Sequence, residues 1–200
     1  MTTPFYVLLL LAAVVLGGGC GLTPHRADNE PRLSARNQQL AAELTERATA
    51  YMMSDPDRAM QLLREAIDAD LFHGPAHNNI GVILLERGQL YEAAEEFDWA
   101  RRLMPGHPDP RINLGISLER GGRMSDALDA YASALEVYPE HLPSMQALVR
   151  LQVRAGIHDA QTRDLLYQIV QRGDASWRHW ARSQMARLSE HAPTPIKVHQ

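Results

Sequence analysis

The sequence predicts an all-α fold, a short solenoid of antiparallel helix pairs ending in a capping helix. Three observations predict it. The stretch from Gly74 to Pro139 repeats itself at an offset of 34 residues: His77, Ile80, Gly81, Leu84, Ala93, Phe97, Ala100 and Pro105 are answered by Arg111, Leu114, Gly115, Leu118, Ala127, Tyr131, Ala134 and Pro139. Gly88, Gly122 and Gly156 share that offset, and each stands where a first helix ends. After the Gly173-Asp174 break, Trp177, Trp180, Ala181, Met185 and Leu188 fall on one helical stripe, as a cap for an open solenoid end requires.

Small residues carry the specificity of the repeat. A glycine inside a helix costs roughly 1 kcal/mol against alanine, so Gly81 and Gly115 call for close approach of the paired helix, with Ala93 and Ala127 expected opposite. Pattern and period resemble the tetratricopeptide repeat (TPR). His77 and Arg111 stand where that family usually has Trp, and Leu84 and Leu118 where it usually has Tyr. The resemblance implies a right-handed solenoid whose first helices line a concave, peptide-binding groove.

Before the repeats, Phe5 to Leu16 form an uninterrupted apolar run of 12 residues followed by Gly17-Gly18-Gly19-Cys20. The run is short for a membrane span and suited to a signal-peptide core. The segment resembles a bacterial lipoprotein signal, which implies cleavage before Cys20 and lipidation of that residue; an uncleaved signal anchor ending near Gly21 is the alternative. Either way the repeats face the periplasm. Gly21, rather than Asp, after the cysteine leans toward the outer membrane. Residues 20–31 then form a lipidated tether with two prolines, and a flexible chain of its length spans about 18 Å.

The TPR domain is expected over 32–190. Its units lie at about 40–73, 74–107, 108–141 and a degenerate 142–175, with the cap over 176–190 and a loose tail over 191–200. Helices are expected near 33–53, 56–70, 75–87, 90–104, 109–121, 124–138, 142–155 and 159–172. In the first unit Ala59, Leu63 and Ala66 keep register while Arg47 replaces the glycine and Leu71 the proline. Asp55-Pro56 marks a helix start, with Asp as cap and Pro at the first helical position.

Composition bounds the function. Of 200 residues one is cysteine, which excludes an internal disulfide, and a net charge of -4 gives no overall basic field for nucleic acid. Charge is uneven: residues 21–140 are net -8 and residues 141–200 net +4. His73, His107 and His141 recur at the turns, but helices ~8–10 Å apart cannot bring three such residues to one ion at about 2.1 Å. No G-x-S-x-G elbow or Gly-rich phosphate loop occurs. No enzyme, cofactor, metal or small-molecule substrate is expected.

Binding residues are expected on the inner face of the first helices. Asn79 and Asn113 are equivalent; in some TPR proteins an Asn at this place bonds the backbone of an extended ligand. Asn78 pairs with Ile112, Val82 with Ile116 and Leu85 with Glu119, while Gln146 and Arg150 continue the groove. The outer units put Thr45 and Ala147 at the asparagine position. The chaperone-type carboxylate clamp lacks its residues, with Asp109 and Val82 at places it needs. The expectation is a membrane-tethered adaptor that binds a protein or peptide. Its architecture resembles the pilotins of type IV pilus secretins and the TPR lipoproteins of tight-adherence pilus assembly. The alternatives are a scaffold gathering cell-wall hydrolases or synthases and an accessory subunit of an envelope enzyme.

Overall fold

The computed structural model describes residues 30–190, with side chains described from 37 to 188. The signal run, Cys20, most of the tether and the 191–200 tail lie outside the described residues. Four hairpins follow one another: α1 (Glu30–Thr49) with α2 (Pro56–Ala69), α3 (Gly74–Glu86) with α4 (Leu90–Leu103), α5 (Asp109–Arg120) with α6 (Met124–Val137), and α7 (Leu142–Arg154) with α8 (Ala160–Arg172). A ninth helix, α9 (Ala175–Glu190), packs on α8. Regular structure among the described residues is entirely helical, and none of these helices is long and apolar enough to cross a membrane.

Local chemistry sets the boundaries. Prolines stand in the first turns of α2, α3, α5 and α7, where the missing N–H had no intrahelical partner. Gly88, Gly122 and Gly156 take φ of 76°, 78° and 73°. The residues after them close the helices, with Gln89 N donating to Leu84 O at 2.9 Å, Arg123 N to Leu118 O at 2.8 Å and Ile157 N to Gln152 O at 2.9 Å. This is the left-handed cap in which the backbone turns back onto the last carbonyls. Asp55 and Asp159 cap α2 and α8 by accepting from Arg58 N and Thr162 N at 3.1 and 2.8 Å.

The first helix differs from the sequence expectation at both ends, beginning at Glu30, within the expected tether, rather than near 33. It ends at Thr49 rather than near 53, because Asp55 must adopt non-helical backbone to cap α2 and precedes a proline. The chain uses 50–54 to turn, with Tyr51 N bonded to Ala48 O at 2.9 Å.

The close approach at the helix glycines is real but its agent is an aromatic ring, not the alanines. A Cβ on Gly81 would lie 2.6 Å from Phe97 Cε1, and one on Gly115 would run into Cε1 of Tyr131. Both rings are fully buried, as are Ala93 and Ala127. A β-carbon at either glycine would displace a ring that already fills the space between two helices.

The core is divided. One cluster joins α1, α2 and the start of α3 around Leu63, Ala66 and Ile80. A larger one joins α5 to α9 around Tyr131, Leu148, Leu166 and Ile169, with Trp177, Trp180, Met185 and Leu188 packed against it. Between them lies a small cluster of Leu85, Ala93 and Phe97, reached from either side by the partly buried Leu84, Leu114 and Ile116. The two tryptophans meet edge-on, ring centroids 5.3 Å apart, so α9 closes the stack with its aromatic stripe.

Candidate protein-binding groove

Helices α3 and α5 lie side by side as the first helices of the second and third units. Their one-repeat offset sets equivalent side chains next to each other. Asn113 Nδ2 donates to Asn78 Oδ1 at 3.0 Å across the junction, and Asn78 Nδ2 donates to Asn79 Oδ1 at 3.4 Å. Three amides therefore form one chain running from α5 onto α3. All three are half-buried, as are Val82, Ile112, Ile116 and Gln146, while Arg150 is exposed. Val82 and Ile116 rest on the small central cluster and Ile112 on the larger core.

Two of the sequence-predicted groove residues have other work. Leu85 is only 6% exposed and belongs to the central cluster with Ala93 and Phe97, so it supports the floor and presents nothing to a ligand. Arg150 reaches across one unit to Glu119, Nη2 to Oε2 at 3.4 Å. Arg154 approaches Oε1 of the same carboxylate at 2.8 Å, and the Tyr131 hydroxyl donates to Oε2 at 2.7 Å. The Glu119 side chain is 10% exposed, so the two arginines and the phenol are what keep a buried carboxylate satisfied. Burial, with the bond to Glu119 and its negative charge adding and Arg150 opposing, holds the Tyr131 phenol well above the usual phenol range.

Glu119 was expected on the inner face only as the counterpart of Leu85; its tie to Arg150, Arg154 and Tyr131 was missed. Its signal in the sequence was a carboxylate at the repeat position of Leu85, with Arg150 and Arg154 one first helix further on. Guanidinium groups carry five donors each, so one shared carboxylate exhausts neither arginine. The Asn78–Asn113 bond was missed for a different reason: a one-repeat alignment pairs Asn78 with Ile112, whereas the contact runs diagonally to the next residue.

Two overlapping stretches, residues 48–108 and 84–141, match the family model described as Tetratricopeptide repeat. Residues 48–141 are tetratricopeptide repeats. The TPR domain is similar to the first TPR of Spaghetti (RPAP3) bound to HSP90 peptide SRMEEVD, with a TM-score of 0.56 and 18% identity over 60% of this chain and 95% of that one. It is similar also to the crystal structure of MamA, with a TM-score of 0.59 and 16% identity over 79% of this chain and 86% of that one. At such identities the likeness is one of fold. Among curated proteins, mouse tetratricopeptide repeat protein 28 is 26% identical over 154 residues, 77% of this chain. The chain spans 6% of that relative's length.

The histidines at the turns are separated by whole TPR units, and no group of three His, Cys, Asp or Glu positioned for a metal ion occurs among the described residues. A second groove between α4 and α5 is lined by Tyr91, Ala94, Trp99, Leu114 and Leu118. It opens above Leu118, where the usual TPR residue is the larger Tyr.

Proposed function

We propose that the protein is a membrane-tethered adaptor that holds an extended peptide or protein segment along α3 and α5. The observation that carries this reading is the amide chain Asn113–Asn78–Asn79 set beside Val82, Ile112 and Ile116. Each side-chain amide has two donors and two acceptor sites, so bonding among the three leaves donors and acceptors unused for a ligand backbone. The apolar row beside them suits the alternate side chains of an extended strand. That the first TPR of Spaghetti holds a peptide on the same fold supports the reading. Arg150 and Arg154 are already part-neutralised by Glu119, which weakens the case for an acidic tail and favours backbone recognition.

The apolar run and Cys20 support a lipid anchor in the bacterial cell envelope facing the periplasm, and Gly21 after the cysteine leans toward the outer membrane. Pilus or secretion assembly as the process rests on likeness of architecture alone. A photo-crosslinking residue placed at Ile116 or at Trp99 in the native envelope tests the groove. The reading expects an adduct from Ile116 that Asn79→Ala with Asn113→Ala abolishes. An adduct from Trp99 alone overturns it in favour of the second groove. Recovery of cell-wall hydrolases or synthases in the adduct overturns the assembly role but not the groove.

A further inference from the structure

We propose that His77 is a proton-operated latch, an imidazolium that ties the turn between the first two units to α4 and lets go when it loses its proton. Both of its ring nitrogens face acceptors. Nδ1 lies 2.7 Å from Glu96 Oε2 and Nε2 lies 3.0 Å from the carbonyl oxygen of Leu71. A neutral imidazole has one N–H and one lone pair. Against two acceptors it satisfies one contact and sets lone pair against lone pair in the other. Only the doubly protonated ring donates to both. Moving the proton to Glu96 stores it in the same pair and changes nothing in the count.

The surroundings favour that proton. The His77 side chain is 8% exposed, so its charge is screened chiefly by its partners. The Trp99 ring stacks on it, centroids 6.1 Å apart at 23°, which suits a cation over an aromatic face. From α4 the facing charge is Glu96, and from the turn before α3 it is His73, itself under the influence of Asp70. Burial works against the cation, but the bond to Glu96, the Leu71 carbonyl and the Glu96 charge outweigh it and raise the imidazole above its usual value. His73 has the opposite character. Its Nε2 is buried with no hydrogen-bond partner, and burial lowers its basicity.

Among the described residues the device occurs once. One unit on, Arg111 Nη1 donates to the His107 carbonyl at 3.0 Å, the same kind of tie made by a group that does not titrate. Ala130 and Ser133 stand where Glu96 and Trp99 would be, and the next repeat has buried Met145. The carbonyl that His77 holds belongs to Leu71, which with Phe72 forms an exposed apolar turn, 62% and 69% accessible. Protonation therefore decides how firmly two exposed apolar side chains are presented at the junction.

The signs of the two histidines differ. His77, raised, contributes stability fully below about pH 6.5, and that contribution is lost as pH rises through its folded value. His73, lowered, contributes above about pH 6.5 and loses its share as pH falls through its folded value. The junction is tightest between, near pH 6.5.

The test is a titration of the full TPR domain labelled with ¹⁵N in its imidazoles, reading both ring nitrogens of His77 from about pH 5 to 9. The latch predicts that both stay protonated above the free-imidazole midpoint of about 6.5. Glu96→Gln should move the transition to lower pH, and should raise amide exchange at Leu71 to His73 at a pH where the wild type is protected. A folded wild-type domain in which His77 shows one bare nitrogen at pH 6.5, or in which Glu96→Gln leaves its transition where it was, overturns the latch. His77→Gln gives a second reading in the wild-type background of His73: the gain in thermal midpoint on going from about pH 8.5 to 6.5 should disappear, and its persistence also overturns the proposal.

Discussion

Tyr131 lies against Gly115 so closely that a β-carbon could not be added, and its hydroxyl is fixed to Glu119 at 2.7 Å. The tie matters because the ring cannot slide aside. Gly115→Leu is expected to cost about 1–3 kcal/mol by overpacking. Gly81→Leu should cost less, since Phe97 has no hydroxyl to hold it. Thermal unfolding of the two variants side by side measures the difference; equal midpoints would show that the Glu119 bond does not restrain the ring.

Gly122→Ala should destabilise by about 1–2 kcal/mol with no steric contact to blame, because its φ of 78° is left-handed and its Cβ would meet nothing within 4 Å. Gly106 is the control. Its Cβ would also meet open space, and its φ lies outside the left-handed range. Gly106→Ala is expected to be neutral or to stabilise by about 0.4–1 kcal/mol through the unfolded chain. Urea unfolding of both variants separates backbone strain from crowding.

The groove asparagines should behave as a coupled set. Asn78→Ala and Asn113→Ala each remove the bond between α3 and α5, so the double variant should lose less stability than the sum of the two. The coupling is expected at about 0.5–1.5 kcal/mol, the net worth of one hydrogen bond. Additive losses would mean that the amides do not bond each other in solution. Helical circular dichroism should be unchanged throughout.

Tyr131 should resist ionisation in the folded domain. Its folded value is raised, so its contribution to stability is intact below the usual phenol value of about 10 and is lost as pH climbs beyond it. Phenolate absorbance followed in alkali should show a late step coinciding with unfolding. Tyr131→Phe should remove that step.

Cys20→Ser should abolish metabolic labelling with palmitate if the cysteine is lipidated. Firm anchoring follows from about 0.8 kcal/mol per buried CH₂ over several acyl chains. A wild-type protein that takes up no label favours the uncleaved signal anchor.

Much of the fold was legible because the repeat reports packing directly. A glycine at one offset and an aromatic at the same offset later can coexist in two units only if the same helix crossing recurs, and Gly81–Phe97 and Gly115–Tyr131 are that crossing. The α9 stripe was legible for a similar reason, since Trp177, Trp180 and Met185 pack against the core at the end of the stack. The polar part of the site was less legible. Periodicity aligns residue with equivalent residue, but side chains on neighbouring helices meet on the diagonal, as Asn113 meets Asn78. It also cannot say which charge is spent internally, and Arg150, read as a groove residue, is drawn to Glu119. His77 looked like a departure from pattern; its role depends on Leu71 and Glu96, one on either side in sequence and both outside its own helix.

The divided core has a mechanical consequence. The central cluster of Leu85, Ala93 and Phe97 is the smallest of the three, and the amide chain of the groove crosses beside it. With the core in separate clusters, fluorescence from Trp99 and from Trp177 and Trp180 should report two transitions rather than one. A segment lying across Asn79 and Asn113 would act as a splint, merging two transitions into one. Cargo would then be felt by the protein as stiffness, along its whole length, before any change of shape.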